Sequence, residues 1–79
     1  MAAPYDGKRV HEYVRATQAI YEVRGNYVHE YGRATQPVYE IRGNYIHEYG
    51  RATQPVYEIR NGRYIHEYAR ATQAIYELR

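Results

Sequence analysis

The sequence predicts an all-β fold, an eight-stranded antiparallel meander of four 18-residue hairpin repeats closing into a barrel. Three observations carry this reading. One 18-residue unit recurs four times, each unit holds two short runs of β-branched and aromatic residues, and Gly-Asn or Asn-Gly pairs separate the units. His-Glu-Tyr begins at His11, His29, His47 and His66, and Arg-Ala-Thr-Gln at Arg15, Arg33, Arg51 and Arg70, with spacings of 18, 18 and 19 residues.

Residues 1–8 precede the repeats and read as a loose lead-in to a single repeat domain, 9–79, with units near 9–25, 26–43, 44–62 and 63–79. In the third unit, 45–49 and 56–60 are the two strands, rich in Tyr, Val and Ile. Gly43-Asn44 fits a two-residue hairpin loop that needs a positive φ at its first central position. The last junction, Asn61-Gly62-Arg63, is one residue longer and predicts a three-residue turn with a bulge. Gly50 and Pro55 bracket the other loop, Arg51-Ala52-Thr53-Gln54, with proline at a strand entrance where no ladder bond is lost. The outer units deviate: Val14 and Ala69 replace glycine, and Ala19 and Ala74 replace proline, as terminal repeats often do.

The two loops together imply a register. A Gly43-Asn44 loop sets Ile41 opposite Ile46, Glu40 opposite His47 and Tyr39 opposite Glu48. A four-residue loop at 51–54 sets Tyr49 opposite Val56, His47 opposite Glu58 and Ile46 opposite Ile59. One face then carries a Val/Ile row (Val23, Val28, Ile41, Ile46, Ile59, Ile65) and should be buried, while His–Glu and Arg–Tyr rows cover the other. An even strand number lets the first and last strands pair, giving a barrel with four-fold pseudosymmetry and no open edge. The alternative is an open twisted sheet that covers its apolar face by oligomerising. Parallel stacking of the units would set Glu on Glu and His on His, which like-charge repulsion disfavours.

Composition narrows function. There are 12 Tyr but no Phe, Trp, Cys or Ser, so no disulfide or serine or cysteine nucleophile is available, and an enzyme is not expected. The net charge of +2 comes from interleaved opposite charges, which suggests ion pairs rather than a nucleic-acid or membrane tail. The start, Met1-Ala2-Ala3-Pro4, lacks a signal-peptide core, so a cytoplasmic location is the default expectation, with no cofactor and no membrane association.

Three functions compete: a structural or self-associating scaffold, a binding module, and a metal site. For the second, Arg15, Arg33, Arg51 and Arg70 with Gln18, Gln36, Gln54 and Gln73 lie in four loops at one end of a meander. Cationic and amide groups there suit a small anion or a carbohydrate. Arg24, Arg42 and Arg60 beside Tyr27, Tyr45 and Tyr64 offer a stacking surface, but neighbouring Glu residues disfavour nucleic acid. For the third, four His at one height could ligate a metal if they converged; the register sets them outward beside Glu22, Glu40, Glu58 and Glu77, as cross-strand pairs. The expected partners are therefore further copies of the chain, a small anion or a carbohydrate.

Hairpin-sized units with regular tyrosine and glycine resemble MORN repeats and choline-binding cell-wall repeats. The Tyr31-Gly32 and Tyr49-Gly50 pairs lack the following glycines of the first, and the chain has no tryptophan of the second, so neither family's function is carried over. Agreement this close between copies also fits a consensus or designed sequence, or a recent duplication.

Overall fold

The computed structural model describes residues 3–13, 18–32, 36–50, 54–69 and 73–79. Eight strands follow one another: β1 (Arg9–Glu12), β2 (Tyr21–Arg24), β3 (Tyr27–Glu30), β4 (Tyr39–Arg42), β5 (Tyr45–Glu48), β6 (Tyr57–Arg60), β7 (Tyr64–Glu67) and β8 (Tyr76–Leu78). Each pairs antiparallel with its sequence neighbour, and β1 pairs with β8 through Val10 opposite Leu78 and His11 opposite Glu77. The sheet is thus a closed barrel, and the open-sheet alternative is excluded. Its outline is squat, 30 × 30 × 22 Å.

The short turns behave as their residues require. Gly25 and Gly43 take φ of 63° and 61°, a left-handed conformation that costs glycine little. These loops set Val23 opposite Val28 and Ile41 opposite Ile46, as expected. At the longer junction Asn61 and Gly62 both have positive φ, and the Arg63 amide donates to the Arg60 carbonyl at 3.2 Å. That bond closes a tight turn and leaves Arg63 as the extra residue before β7.

The wide hairpins correct the sequence reading. Ile46 stands opposite Tyr57, and Tyr45 opposite Glu58, where the four-residue loop predicted Ile46 opposite Ile59 and His47 opposite Glu58. Tyr57 holds in its unit the place that Tyr39 holds one unit earlier, so the register steps by two residues per unit. Four such steps give a shear of about eight residues on eight strands, which sets a strand tilt of about 36°. A straight Ile row would have left the strands untilted, against the twist that closure exploits. An even step keeps every side chain on its own face, which is why alternation alone could not separate the two registers.

Backbone bonds carry the step across the unit boundary. The Val38 amide donates to the Val28 carbonyl at 2.7 Å, and the Val38 carbonyl accepts from the Tyr49 amide at 3.2 Å. Ile20, Val56 and Ile75 do the same in their units, Ile75 joining Ile65 to Tyr13 across the β1–β8 seam.

Alternation fills the interior with three sets of four side chains: Val10, Val28, Ile46, Ile65; Val23, Ile41, Ile59, Leu78; and the tyrosines Tyr21, Tyr39, Tyr57, Tyr76. The aliphatic sets are buried, and the remaining cavity is 20 Å³, room for about one water and with no polar partner to hold it. The barrel interior is therefore a packed core and not a ligand chamber.

Within the lead-in, residues 5–8 are anchored to the barrel rather than loose. Tyr5 is buried with the aliphatic core, and the Asp6 carboxylate accepts from the Gly25 amide at 2.7 Å. The Gly7 amide donates to the Val23 carbonyl at 3.0 Å, and the Val23 amide to the Lys8 carbonyl at 2.9 Å. One end of the barrel is thus closed by Tyr5; the tyrosine set lies toward the other.

Candidate functional site

Strands β2, β4, β6 and β8 each begin with an inward tyrosine directly after a Gln-(Ala/Pro)-(Ile/Val) segment. The four rings meet edge to face around the barrel axis, with centroids 5.8 Å apart for Tyr21–Tyr39, 5.7 Å for Tyr39–Tyr57, 5.9 Å for Tyr57–Tyr76 and 6.3 Å for Tyr21–Tyr76. Edge-to-face contact sets the positive rim of one ring against the negative face of the next. Burial, then the neighbouring hydroxyls of Tyr57 and Tyr21, pushes the Tyr39 and Tyr76 phenols up from their ordinary value. These phenols stay neutral wherever the protein is folded near neutral pH.

Beside this ring lie four equivalent clefts, each made by two adjacent units. Gln18, Ala19, Ile20 and Tyr21 face Glu30 and Tyr31, and Gln36, Pro37, Val38 and Tyr39 face Glu48 and Tyr49. Gln54, Pro55, Val56 and Tyr57 face Glu67 and Tyr68. The fourth spans the seam: Gln73, Ala74, Ile75 and Tyr76 face Glu12 and Tyr13, so it exists only because the barrel closes. The Gly43-Asn44 turn sets Glu48 opposite Tyr39 at the mouth, while the two-residue step in the wide hairpin places Tyr57 opposite Ile46. All four glutamines and all four glutamates of the clefts are exposed.

The outer tyrosine of each cleft is held from behind. Tyr49 meets Tyr27 at 5.8 Å, Tyr68 meets Tyr45 at 5.8 Å and Tyr13 meets Tyr64 at 5.9 Å, all edge to face. In the first unit Arg9 replaces the supporting tyrosine, and its guanidinium sits 5.3 Å from the centre of the Tyr31 ring.

Of the residues singled out by sequence, Gln18, Gln36, Gln54 and Gln73 line the four clefts, one in each. Arg15, Arg33, Arg51 and Arg70 lie outside the described residues. The cleft glutamates and outer tyrosines were not singled out as site residues, although the Gly43-Asn44 turn already set Glu48 opposite Tyr39. The signal was present in the fixed offset between Gln-x-x-Tyr and the next unit's Glu-Tyr.

His29, His47 and His66 stand opposite Glu22, Glu40 and Glu58, and His11 opposite Glu77, on the outer face. They diverge around the barrel, and among the described residues no group of three or more potential ligands could hold a metal ion. Arg24, Arg42 and Arg60 stand opposite Tyr27, Tyr45 and Tyr64, as expected, but their guanidinium groups reach Glu22, Glu40 and Glu58 at 3.3, 3.3 and 3.4 Å. Exposed pairs of this kind stabilise little, and they pair arginines that a nucleic-acid backbone would need. The last unit differs: buried Glu77 takes Arg63 at 2.7 Å and Arg79 at 3.3 Å. Arg63, followed by Arg79, holds the Glu77 carboxyl below the ordinary carboxylate range despite its burial.

No described helix is long and apolar enough to cross a membrane. Outward strand positions carry Arg, His, Glu and Tyr, and seven of the eight strands have 4 residues and the last 3, against the ~9–11 of a membrane-spanning strand. Comparisons with protein-family models, curated proteins and solved structures return no match.

Proposed function

We propose that the protein is a non-catalytic binding module, a rigid barrel that presents one polar cleft four times at its loop end. The observation that carries this reading is the recurrence of Gln, Glu and two Tyr around all four clefts. Concave sites with a few fixed polar groups and ring surfaces are where small ligands bind. Loops and strand ends on a rigid scaffold are the usual carriers of such sites. Catalysis is a weaker reading, because identical groups repeat where an active site would gather unlike ones.

A self-associating scaffold is the competing reading. Closure consumes the strand edges that would have joined copies, which leaves the exposed rings of Tyr27, Tyr45 and Tyr49 as its remaining support. An anion ring rests on Arg15, Arg33, Arg51 and Arg70 from sequence alone.

The test is a two-dimensional NMR titration of labelled protein with a panel of neutral sugars, phosphate, sulfate and amino acids. The side-chain amides of Gln18, Gln36, Gln54 and Gln73 should shift for at least one class. Shifts confined to the Tyr27–Tyr49 surface on raising protein concentration, with none at the glutamines for any compound, would favour self-association instead.

A further inference from the structure

The turn end of the barrel, away from the four clefts, carries a segment that the repeat does not need. Gly7 and Lys8 stand where Gly25-Asn26 and Gly43-Asn44 stand in later units. Gly7 has a φ of 88°, and the Lys8 carbonyl accepts from the Val23 amide as the Asn26 carbonyl does from Ile41. Tyr5 and Asp6 thus correspond to Val23 and Arg24, the two residues before the glycine. Their place in the wall is taken by Leu78 and Arg79, since Leu78 stands opposite Val10 as Val23 stands opposite Val28. Tyr5 and Asp6 are surplus to the barrel, and residues 3–8 cross its end without contributing a strand.

We infer that the turn end is a recognition site for a tyrosine followed by an acidic residue. The lead-in holds it shut, and its competitor is the same motif in an acidic segment of a partner protein. Three features of the bound lead-in define what the site reads. An apolar opening takes the ring, leaving Tyr5 7% exposed among the aliphatic core. The Asn44 side-chain oxygen accepts the phenol hydroxyl at 2.7 Å, a bond that phenylalanine or leucine could not make. The Gly25 amide donates at 2.7 Å to the carboxylate of the next residue, and an ionised acceptor makes such a bond about twice as strong as a neutral one.

Charge favours the same occupant. The wall residues that correspond to Asp6 are arginines, Arg24, Arg42, Arg60 and Arg79, so the acid belongs to the site and not to the repeat. Lys8 and Arg63 stand where Asn26 and Asn44 stand in the other units, which adds positive charge to the rim. An acidic segment is drawn to such a rim. The strap meets the barrel through the ring, the two side-chain bonds and the Gly7 amide on the Val23 carbonyl at 3.0 Å, while every strand pair lies outside it. A tethered segment competes at an effective concentration in the mM range, so a partner prevails by abundance or by further contacts.

The experiment titrates the full chain with an acetylated peptide of residues 3–8, Ala-Pro-Tyr-Asp-Gly-Lys, and reads the Gly25 backbone amide and the Asn44 side-chain amide by NMR. The Tyr5→Ala chain should bind it with a dissociation constant on the order of 1 mM. Peptide at ten times that value should raise the variant's Tm by about 5–10 °C. The plugged parent should respond less than a tenth as far. A peptide with Tyr5→Phe should bind about fivefold more weakly, and one with Asp6→Asn about tenfold. If Tyr5→Ala does not fold, the Asp6→Asn chain keeps the ring, loosens the strap and should respond more than the parent. Silence of Gly25 and Asn44 in both variants, or equal binding of all three peptides, would overturn the inference. Shifts at Gln18, Gln36, Gln54 and Gln73 instead would place the peptide in the clefts and also contradict it. A parent dimer that exchanges lead-ins and resists the peptide would make the occupant a second copy, and the partner inference would fail.

Discussion

The Tyr5 hydroxyl donates to the Asn44 side-chain oxygen at 2.7 Å, joining the lead-in to a turn 39 residues away. The ring of Tyr5 is buried against the aliphatic core at the turn end, so the bond orients a plug whose main contribution is apolar burial. Tyr5→Phe should therefore cost about 1 kcal/mol, and Tyr5→Ala about 3 kcal/mol or more. For a domain of this size 1 kcal/mol lowers Tm by roughly 4–8 °C, so calorimetry separates the two. Equal losses for both variants would mean that the hydrogen bond, and not the plug, carries the effect.

Ala69 adopts φ of 63° where Gly32 and Gly50 adopt 75° and 76°. A β-carbon at Gly50 would meet nothing within 4 Å, so the cost at this position is backbone strain and not a clash. Ala69→Gly should stabilise the protein by about 0.5–1 kcal/mol, the left-handed penalty less the added chain entropy of glycine. Gly50→Ala should destabilise it by a similar amount. Chemical denaturation gives both signs directly.

Glu77 is held in its ionised form by Arg63 first and Arg79 second. A carboxyl whose folded pKa is lowered stabilises the fold above its unfolded value, about 4.3, and loses that contribution as pH falls through the folded value. Glu77→Gln should lower Tm near neutral pH, with the gap to the parent shrinking as acid protonates the parent's carboxyl. A gap that stays constant down the acid limb would assign the loss to packing instead of charge.

The neutral phenols of Tyr39 and Tyr76 act at the opposite end of the pH scale. Their folded pKa is raised, so their contribution is complete below the ordinary phenol value of about 10 and is lost as pH climbs beyond it. The variant Tyr39→Phe should move alkaline unfolding to higher pH and remove phenolate absorbance from the most alkaline part of the titration. Loss of absorbance from the earliest part would place the Tyr39 hydroxyl in water.

How far each part could be read from sequence follows from the turn that governs it. Gly43-Asn44 admits one register, so Ile41 opposite Ile46 followed from two residues. The longer loop at 51–54 tolerates a slide of two, and alternation is blind to an even slide, so Ile46 opposite Tyr57 emerged only with closure. The inward tyrosines share a face with Ile41 and Ile59, yet a Tyr ring across the axis requires the tilt that this slide imposes. Tyr5 occurs once, outside the repeat, and no periodicity marks it as core. The four glutamines were singled out as loop residues; the pairing of Tyr39 with Glu48 was legible from the Gly43-Asn44 turn, and what sequence did not mark was that Gln36 lies in the same cleft.

Closure with a two-residue step per unit underlies the core, the tyrosine cluster and the fourth cleft alike. Cross-strand proton contacts in a labelled sample test it most directly. Contacts joining Val10 to Leu78 and Ile46 to Tyr57 are the expected result. Contacts joining Ile46 to Ile59, or none between the first and last strands, would contradict it.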